Sequence, residues 1–516
     1  MEKRTLLAVA LSVAILMVYQ YFFVTPAAPP VDGKPAAEAP AKPGPIQAPA
    51  TIPAPALPPL STSAADRVKE QEVTIDNNFY TAVLTSRGGT IKSLLLKNYK
   101  DKEGKPIVFK ADAALPPFSL GADESFQFAH VPFSVQGGNA SLSPTVSTAS
   151  LVFEYASGEY AVRRTYAFHY DTYGFDLKDE IKGLKSYWIT LGSDFGIYEK
   201  DDSTHFGPVV LKDADRMEFT AKKLSEPKII TEGIKWMAQE DKYFFSSLVP
   251  KEKATEVKIW DSAGASHALV ALKGTGSEAN YFLYAGPKEL DRLKNVGYGL
   301  EYIVDFGFFS IIARPLFWVL KLFYSISHNY GVAIIILTMV VRIPFIPLIN
   351  KGQSSMKKMQ DLQPRMAEVK EKYKNDPQKM QQELMGLYKK HKVNPMGGCL
   401  PMLLQIPVFF ALYKVLLITI ELRGAPFAFW IHDLSAKDPY YVLPIVMGAT
   451  MVIQQKMTPS TMDPMQQKMM MFMPIVFTFM FLSFPSGLVV YWLVNNVLSI
   501  GQQFYMNRKV AKAAAA

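Results

Sequence analysis

Cysteine is nearly absent from this chain, and Cys399, the only one in 516 residues, rules out an internal disulfide. A stretch placed outside the cytoplasm must therefore hold together without one. Cys399 reads as an ordinary buried thiol. Acidic residues are missing from the long apolar runs apart from Glu421, which stands at the end of its run. No glycine-rich phosphate loop occurs: Gly274-Thr-Gly276-Ser-Glu-Ala resembles part of a dinucleotide fingerprint but sits between two strand-like runs with no helix after it, so it reads as a hairpin turn. His130, His169, His205 and His267 lack metal-ligand spacing, and no nucleophile stands in a recognisable pairing with a base. The sequence thus offers no catalytic residue, no metal site and no cofactor site.

Apolar residues are plentiful. They make up 49% of the chain, mean hydropathy is positive at +0.07, and the net charge of +9 gathers in short segments beside apolar runs. That distribution fits positive-inside topology in a bilayer better than a nucleic-acid face.

One stretch organises the rest: Gly331 to Lys351, GVAIIILTMVVRIPFIPLINK, with Arg342 inside a membrane-length run and two prolines after it. A guanidinium in hydrocarbon costs at least ~2.5 to 3.5 kcal/mol on insertion scales, so such a residue faces protein or a wet cavity. At ~1.5 Å per helical residue, Arg342 lies roughly 13 Å from Lys351, too deep for a relaxed exit to the interface. With no acid in the other runs, its partner is water or a visiting anionic group. A structural alternative stands beside this one: Arg342 caps the carbonyls of Val340 and Ile343, freed by Pro344 and Pro347.

Taken in order, residues 1–25 read as an uncleaved membrane anchor with its N-terminus inside: a basic start, a run from Leu6 to Val24 nearer a bilayer span than a signal-peptide core, and Pro26 where a cleavage motif needs small residues. Residues 26–60 are a Pro/Ala-rich spacer of extended polyproline character. Residues 61–300 alternate with period two: Val73 and Ile75, then Tyr80, Ala82 and Leu84 before a Gly88-Gly89 turn, then Leu151, Phe153 and Tyr155 before Ser157-Gly158, then Val257 and Ile259. This predicts a large antiparallel β-sandwich. Residues 301–330 carry Arg314 and Lys321 on one face of an apolar helix, which suits an interfacial helix. Residues 331–350 form the span with Arg342.

Residues 351–395 read as a basic helical hairpin broken at Asn375-Asp376-Pro377 and placed in the cytoplasm by its lysines. Its methionine stripe (Met356, Met359, Met366, Met380) serves either as hairpin core or as an adaptable contact surface. Residues 396–507 contain four further apolar runs, and residues 508–516 a basic inside tail. The sum is a polytopic α-helical membrane protein of six spans, both ends cytoplasmic. Thr338, Gln405, Gln454, Gln455, Asn495, Asn496, Gln502 and Gln503 recur within the spans, either lining one recess with Arg342 or bonding helix to helix. Lys414 is expected to snorkel outward toward Glu421, two turns on.

Five segments, IIILTMVVRIPFIPL, VNPMGGCLPMLLQIPVFFALY, ELRGAPFAFWIHDLSAKDPYYVLPIVMG, DPMQQKMMMFMPIVF and FPSGLVVYWLVNN, occur in an order and spacing that resembles the YidC/Oxa1/Alb3 membrane-protein insertases, in their Gram-negative form. The anchor, spacer and sandwich resemble that form's periplasmic part. The resemblance implies a five-helix core around a hydrophilic groove, open to cytoplasm and lipid and closed toward the periplasm. Its arginine falls on Arg342, with Thr338 beside it, and its aromatic groove residue, commonly tyrosine, falls on Trp492. Lys414 stands where an uncharged residue is usual. Clients would be nascent membrane proteins whose apolar segments slide past Phe409, Phe410, Phe472 and Phe477 into the lipid bilayer of the inner membrane. The Sec translocon and the ribosome are the implied partners, the short tail contributing little to ribosome contact. A secondary transporter with a periplasmic receptor domain is the competing class, for which inverted repeats and titratable midplane residues are wanting.

Overall fold

The computed structural model describes residues 70–112, 114–199, 204–261, 268–391, 393, 400–458 and 464–515. The anchor (1–25), the spacer (26–60), Cys399 and His267 lie outside the described residues.

The expected sandwich is present as antiparallel sheets. The largest runs Asp215–Glu218, Gly207–Lys212, Ile234–Glu240, Phe244–Pro250, Glu278–Pro287, Gly174–Lys182, Tyr160–His169, Thr148–Ser157, Ser134–Gln136, and two five-stranded sheets complete the domain. Among the described residues every strand pair is antiparallel except Glu72–Asp76 with Ala140–Ser141. Period two is visible in the burial: Val162, Tyr166 and Phe168 face inward from one strand, Phe175, Leu177 and Ile181 from the next. Two charged residues occupy inward positions of this same register. Arg164 and Asp179 are directly opposed and wholly buried, with Nε to Oδ1 at 2.8 Å and Nη2 to Oδ2 at 3.1 Å.

Gly158 turns the Thr148–Ser157/Tyr160–His169 hairpin at φ 60°, a left-handed conformation that glycine enters without steric cost. Gly274–Ser277 departs from expectation. It is a turn, but not of a hairpin: the strand before it pairs with Glu256–Trp260 and Ser186–Thr190, and the strand after it pairs with Phe244–Pro250 and Gly174–Lys182. The chain changes sheets there, which local sequence cannot distinguish from a hairpin because both need the same turn chemistry.

A short helix α1 (Leu290–Val296) leads out of the sandwich to α2 (Ser310–Ser327). α3 (Tyr330–Arg342) begins at Asn329, whose side chain accepts from Val332 N, and a 3₁₀ turn at Ile343–Phe345 joins it to α4 (Ile346–Asp361). Pro344 and Pro347 sit at that joint, where each lacks the N–H an unbroken ladder requires. α5 (Gln363–Lys372) and α6 (Pro377–Lys390) pack through Leu362, Met366 and Val393, with Asp376 capping α6 through a bond from Lys379 N. α7 (Leu400–Ile418), α8 (Val442–Met457), α9 (Pro464–Phe481) and α10 (Ser486–Ala515) follow. Among the described residues, Ser310–Ser327 and Tyr330–Asp361 are long and apolar enough to cross a membrane; the apolar stretches Gln405–Ile418, Val442–Met457 and Met469–Phe481 are shorter.

The sandwich and the helices share one continuous apolar core. Arg423, past the end of α7, donates to Lys100 O at 2.7 Å and lies over the rings of Tyr243 and Phe244. Lys321 of α2 pairs with Asp291 of α1.

Candidate functional site

α3 delivers Arg342 to α10. Its Nη1 donates to Asn495 O at 2.9 Å and Asn495 Oδ1 at 2.7 Å, and its Nη2 to Ser499 Oγ at 2.9 Å and Gln502 Oε1 at 3.1 Å. These acceptors lie at i, i+4 and i+7 of α10, one stripe of a helix with ~3.6 residues per turn. Gln502 is held in turn by Nε2 donation to Asn350 Oδ1 of α4 at 2.7 Å. Arg342 is half-buried, and Met339, Val340 and Ile343 around it are exposed.

Two sequence expectations change here. The guanidinium has no acid beside it, but it is not left to water alone, because neutral oxygens of α10 take four of its hydrogen bonds. Nor does it cap the carbonyls around the prolines: Val340 O accepts from Ile343 N. Ser499 and Asn350 are the members that sequence reading missed. The signal for Ser499 was the polar spacing 495, 499, 502, legible once α10 is treated as one face rather than as scattered amides; Asn350, on α4, had none.

The other polar candidates divide between positions. Asn496 of α10 is buried and donates to Thr450 Oγ1 at 3.2 Å, and Gln503 donates to Met457 O while accepting from the Thr458 hydroxyl, so both tie α10 to α8. Thr338 is buried and donates to Ile334 O within its own helix at 2.6 Å. Gln405 of α7 reaches the Tyr491 hydroxyl. Gln454 lies on α8, its carbonyl accepting from the Thr458 hydroxyl at 2.8 Å.

Trp492 stands one turn from Asn495 on the same stripe, at the centre of an aromatic cluster. Phe409 meets it edge-on at 4.9 Å, with Phe481 at 5.0 Å and Phe477 at 6.0 Å. Of the four phenylalanines expected on a sliding face, Phe409 and Phe477 are thus packed together around Trp492. Phe410 stacks on Phe309 at the start of α2, and Phe472 is exposed on α9 near Ile475, Val476 and Phe479.

Lys414 does not meet Glu421; among the described residues no ion pair joins them. Its stem passes Gly307, whose N–H donates to Asp305 Oδ1, and it lines a cavity of about 40 Å³ where the helices meet the sandwich. The same cavity is lined by Arg216, Glu218, Glu240 and Lys288. Glu240, almost fully buried, accepts from Arg216 Nη2 at 2.5 Å and Lys288 Nζ at 2.8 Å. Burial pushes its carboxyl up, but Arg216 and then Lys288 outweigh that and hold it below the usual carboxylate range. His205 is pushed down by burial against the opposing pull of Glu240 and Glu218. Sequence offered no signal for this cluster, since its members come from distant segments.

Among the described residues no three of His, Cys, Asp and Glu gather as metal ligands. Residues 72–319 match the family described as YidC periplasmic domain, and residues 322–513 the family described as 60Kd inner membrane protein. The membrane protein insertase YidC of Syntrophus aciditrophicus is 42% identical over 552 residues, covering 99% of this chain and all of that protein. That of Geotalea daltonii is 42% identical over 538 residues, with 99% and 100% covered. A solved structure described as an active YidC insertase with its first transmembrane domain resolved aligns at 20% identity and a TM-score of 0.38, covering 85% of this chain and 93% of that one. With 42% identity to curated relatives sustained from one end to the other, the chain belongs to the YidC family of membrane protein insertases.

Proposed function

We infer that this chain is an inner-membrane protein that inserts nascent membrane proteins into the bilayer without covalent catalysis. What carries the reading is the full-length likeness to relatives named as insertases, joined to a half-buried guanidinium held by neutral acceptors between α3 and α10. In this account six spans cross the membrane with both termini in the cytoplasm, α2 lies in the interface, and five spans enclose a hydrophilic groove. A client's short polar, often acidic, segment enters beside Arg342, Asn495 and Trp492, with Thr338, Gln405 and Gln454 contributing polarity on the neighbouring helices. Its apolar segment leaves along α7 and α9 past Phe409, Phe410, Phe472 and Phe477.

Burying an apolar helix in lipid drives the exit. A membrane potential adds ~2.3 kcal/mol per charge per 100 mV to the transfer of an acidic segment, so nucleotide hydrolysis is not required. The basic hairpin α5–α6 receives the client first, working alone or beside the Sec translocon and a translating ribosome. The test is insertion of a small two-span client into liposomes containing the purified protein, read as protease-protected product. Arg342→Glu is expected to impair clients with acidic translocated segments several-fold, and undiminished insertion of every such client would refute the role of the charge.

A further inference from the structure

We propose that Ser499 and Gln502 are positioning residues that hold one edge of the Arg342 guanidinium in exchangeable form, and that an acidic client segment displaces one of them to pair with that edge. The proposal rests on the groove reading given above and adds to it which bonds break when a client arrives.

Guanidinium has five N–H donors in a rigid fork. Four are engaged here, and they are not equivalent. Nη1 is held twice by one residue, through the backbone oxygen and the side-chain oxygen of Asn495, so that end is anchored to α10 itself. Nη2 is held by two separate side chains, Ser499 at 2.9 Å and Gln502 at the longer 3.1 Å. Nε makes no hydrogen bond among the described residues. The open donor and the donor held only by side chains are therefore adjacent: Nε and Nη2 form one edge of the fork, the edge by which an arginine takes a carboxylate with two parallel bonds. The same chain displays that geometry in its sandwich, where Arg164 grips Asp179 through Nε at 2.8 Å and Nη2 at 3.1 Å.

Exchange is local. Ser499 Oγ already donates to Asn495 O at 2.8 Å, and Gln502 Nε2 is bonded to Asn350 Oδ1, so whichever side chain releases Nη2 keeps a partner. No buried donor is stranded by the swap, which keeps its cost low. Asn495 meanwhile keeps the charge at its depth in the membrane. The ligand that fits is a carboxylate on an extended or helical client segment, reaching the edge from the exposed side of Met339 and Ile343.

The experiment uses full-length protein in phosphatidylethanolamine and phosphatidylglycerol liposomes. Two versions of one two-span client are offered, with a pair of Asp or a pair of Asn at the same translocated positions, and the ratio of their initial insertion rates is read. Gln502→Glu places a resident carboxylate on Nη2, and since a hydrogen bond to a charged group is worth about tenfold in an equilibrium constant, the Asp/Asn ratio is expected to fall about tenfold. Ser499→Ala removes a competitor, and the ratio is expected to rise a few-fold; this smaller change carries the test if Gln502→Glu loses its thermal transition in detergent. An unchanged ratio in the folded variants overturns the exchange. Arg342→Gln separates the two levels: a wild-type ratio there overturns the groove reading itself, whereas a collapsed ratio there with an unchanged one in Gln502→Glu overturns the exchange alone.

Discussion

Replacing Glu240 by Gln removes one charge from the cavity between sandwich and helices and leaves Lys288 without a carboxylate partner, while Arg216 keeps Glu218. Glu240 is 1% exposed and bonded to both Arg216 and Lys288. Deleting one partner of a buried ion pair costs ~3–5 kcal/mol where the surviving charge is uncompensated, as Lys288 would be with only Asp241 O left to accept from it. At ~2–4 °C per kcal/mol for a domain of this size, thermal unfolding should come roughly 6 to 20 °C earlier. The assay is intrinsic fluorescence of the full chain in detergent during heating, with buried Trp236 on the same strand as the reporter. Acid supplies a second arm. Because the folded carboxyl lies below its ordinary 4.5, the network's contribution is complete above about pH 4.5 and is lost as pH falls through the lower folded value. The gap between wild type and Glu240→Gln must therefore narrow in acid. A drop of less than about 3 °C at neutral pH, or a gap that does not change down to about pH 3, would show that water already screens the cluster and would refute the argument.

His205 is held below its usual 6.5 by burial, so the unfolded chain protonates first and stability is lost as pH falls from about 6.5 toward the folded value. His205→Gln should flatten the change in unfolding temperature between about pH 7.5 and 5.5. Lys414→Met removes the only charge that α7 sends into the cavity; the expected cost is small, about 1 kcal/mol, and hydrogen exchange should accelerate at 305–307 without a change elsewhere in the sandwich. Gly448 lets α8 and α9 touch, since a Cβ there would meet Thr478 Oγ1 at 2.0 Å. Gly448→Val should force the two helices apart at a cost of ~1–3 kcal/mol, seen as earlier aggregation on heating in detergent.

Period two in residues 73–91 and 151–162 was enough to place strands and their turns, because each strand buries one face and the alternation is written in consecutive residues. Sheet membership was not. Gly274–Ser277 looks the same whether its flanking strands pair with each other or leave for different sheets, as they do. Arg342 stood out on the cost of burying a charge, yet its partners did not, since neutral oxygens carry no charge pattern to search for. Asn495 was singled out with Asn496, although α10 turns the first toward α3 and the second toward α8. Lys414 was misplaced because its true surroundings come from Arg216, Glu240, Lys288 and Asp305, residues whose proximity is created only by tertiary folding.

Two arginines of this chain meet opposite fates. Arg164 is fully buried and matched by a carboxylate, with Nη1 further spent on Phe118 O at 2.7 Å. Such a pair is permanent: opening it would leave two buried charges, each costing several kcal/mol. Arg342 is half-buried and matched only by amide and hydroxyl oxygens, whose bonds to a charged donor are worth about 1.5–3 kcal/mol and are recoverable elsewhere. An aspartate at 495 or 499 would make Arg342 a second Arg164 and, on the proposed reading, close the site to anionic segments. A guanidinium with no acceptor at all would be costly enough in the membrane to be drawn toward the interface. Neutral acceptors on one stripe of α10 lie between these limits, which is what the proposed exchange requires: strong enough to keep the charge at depth and weak enough to be displaced.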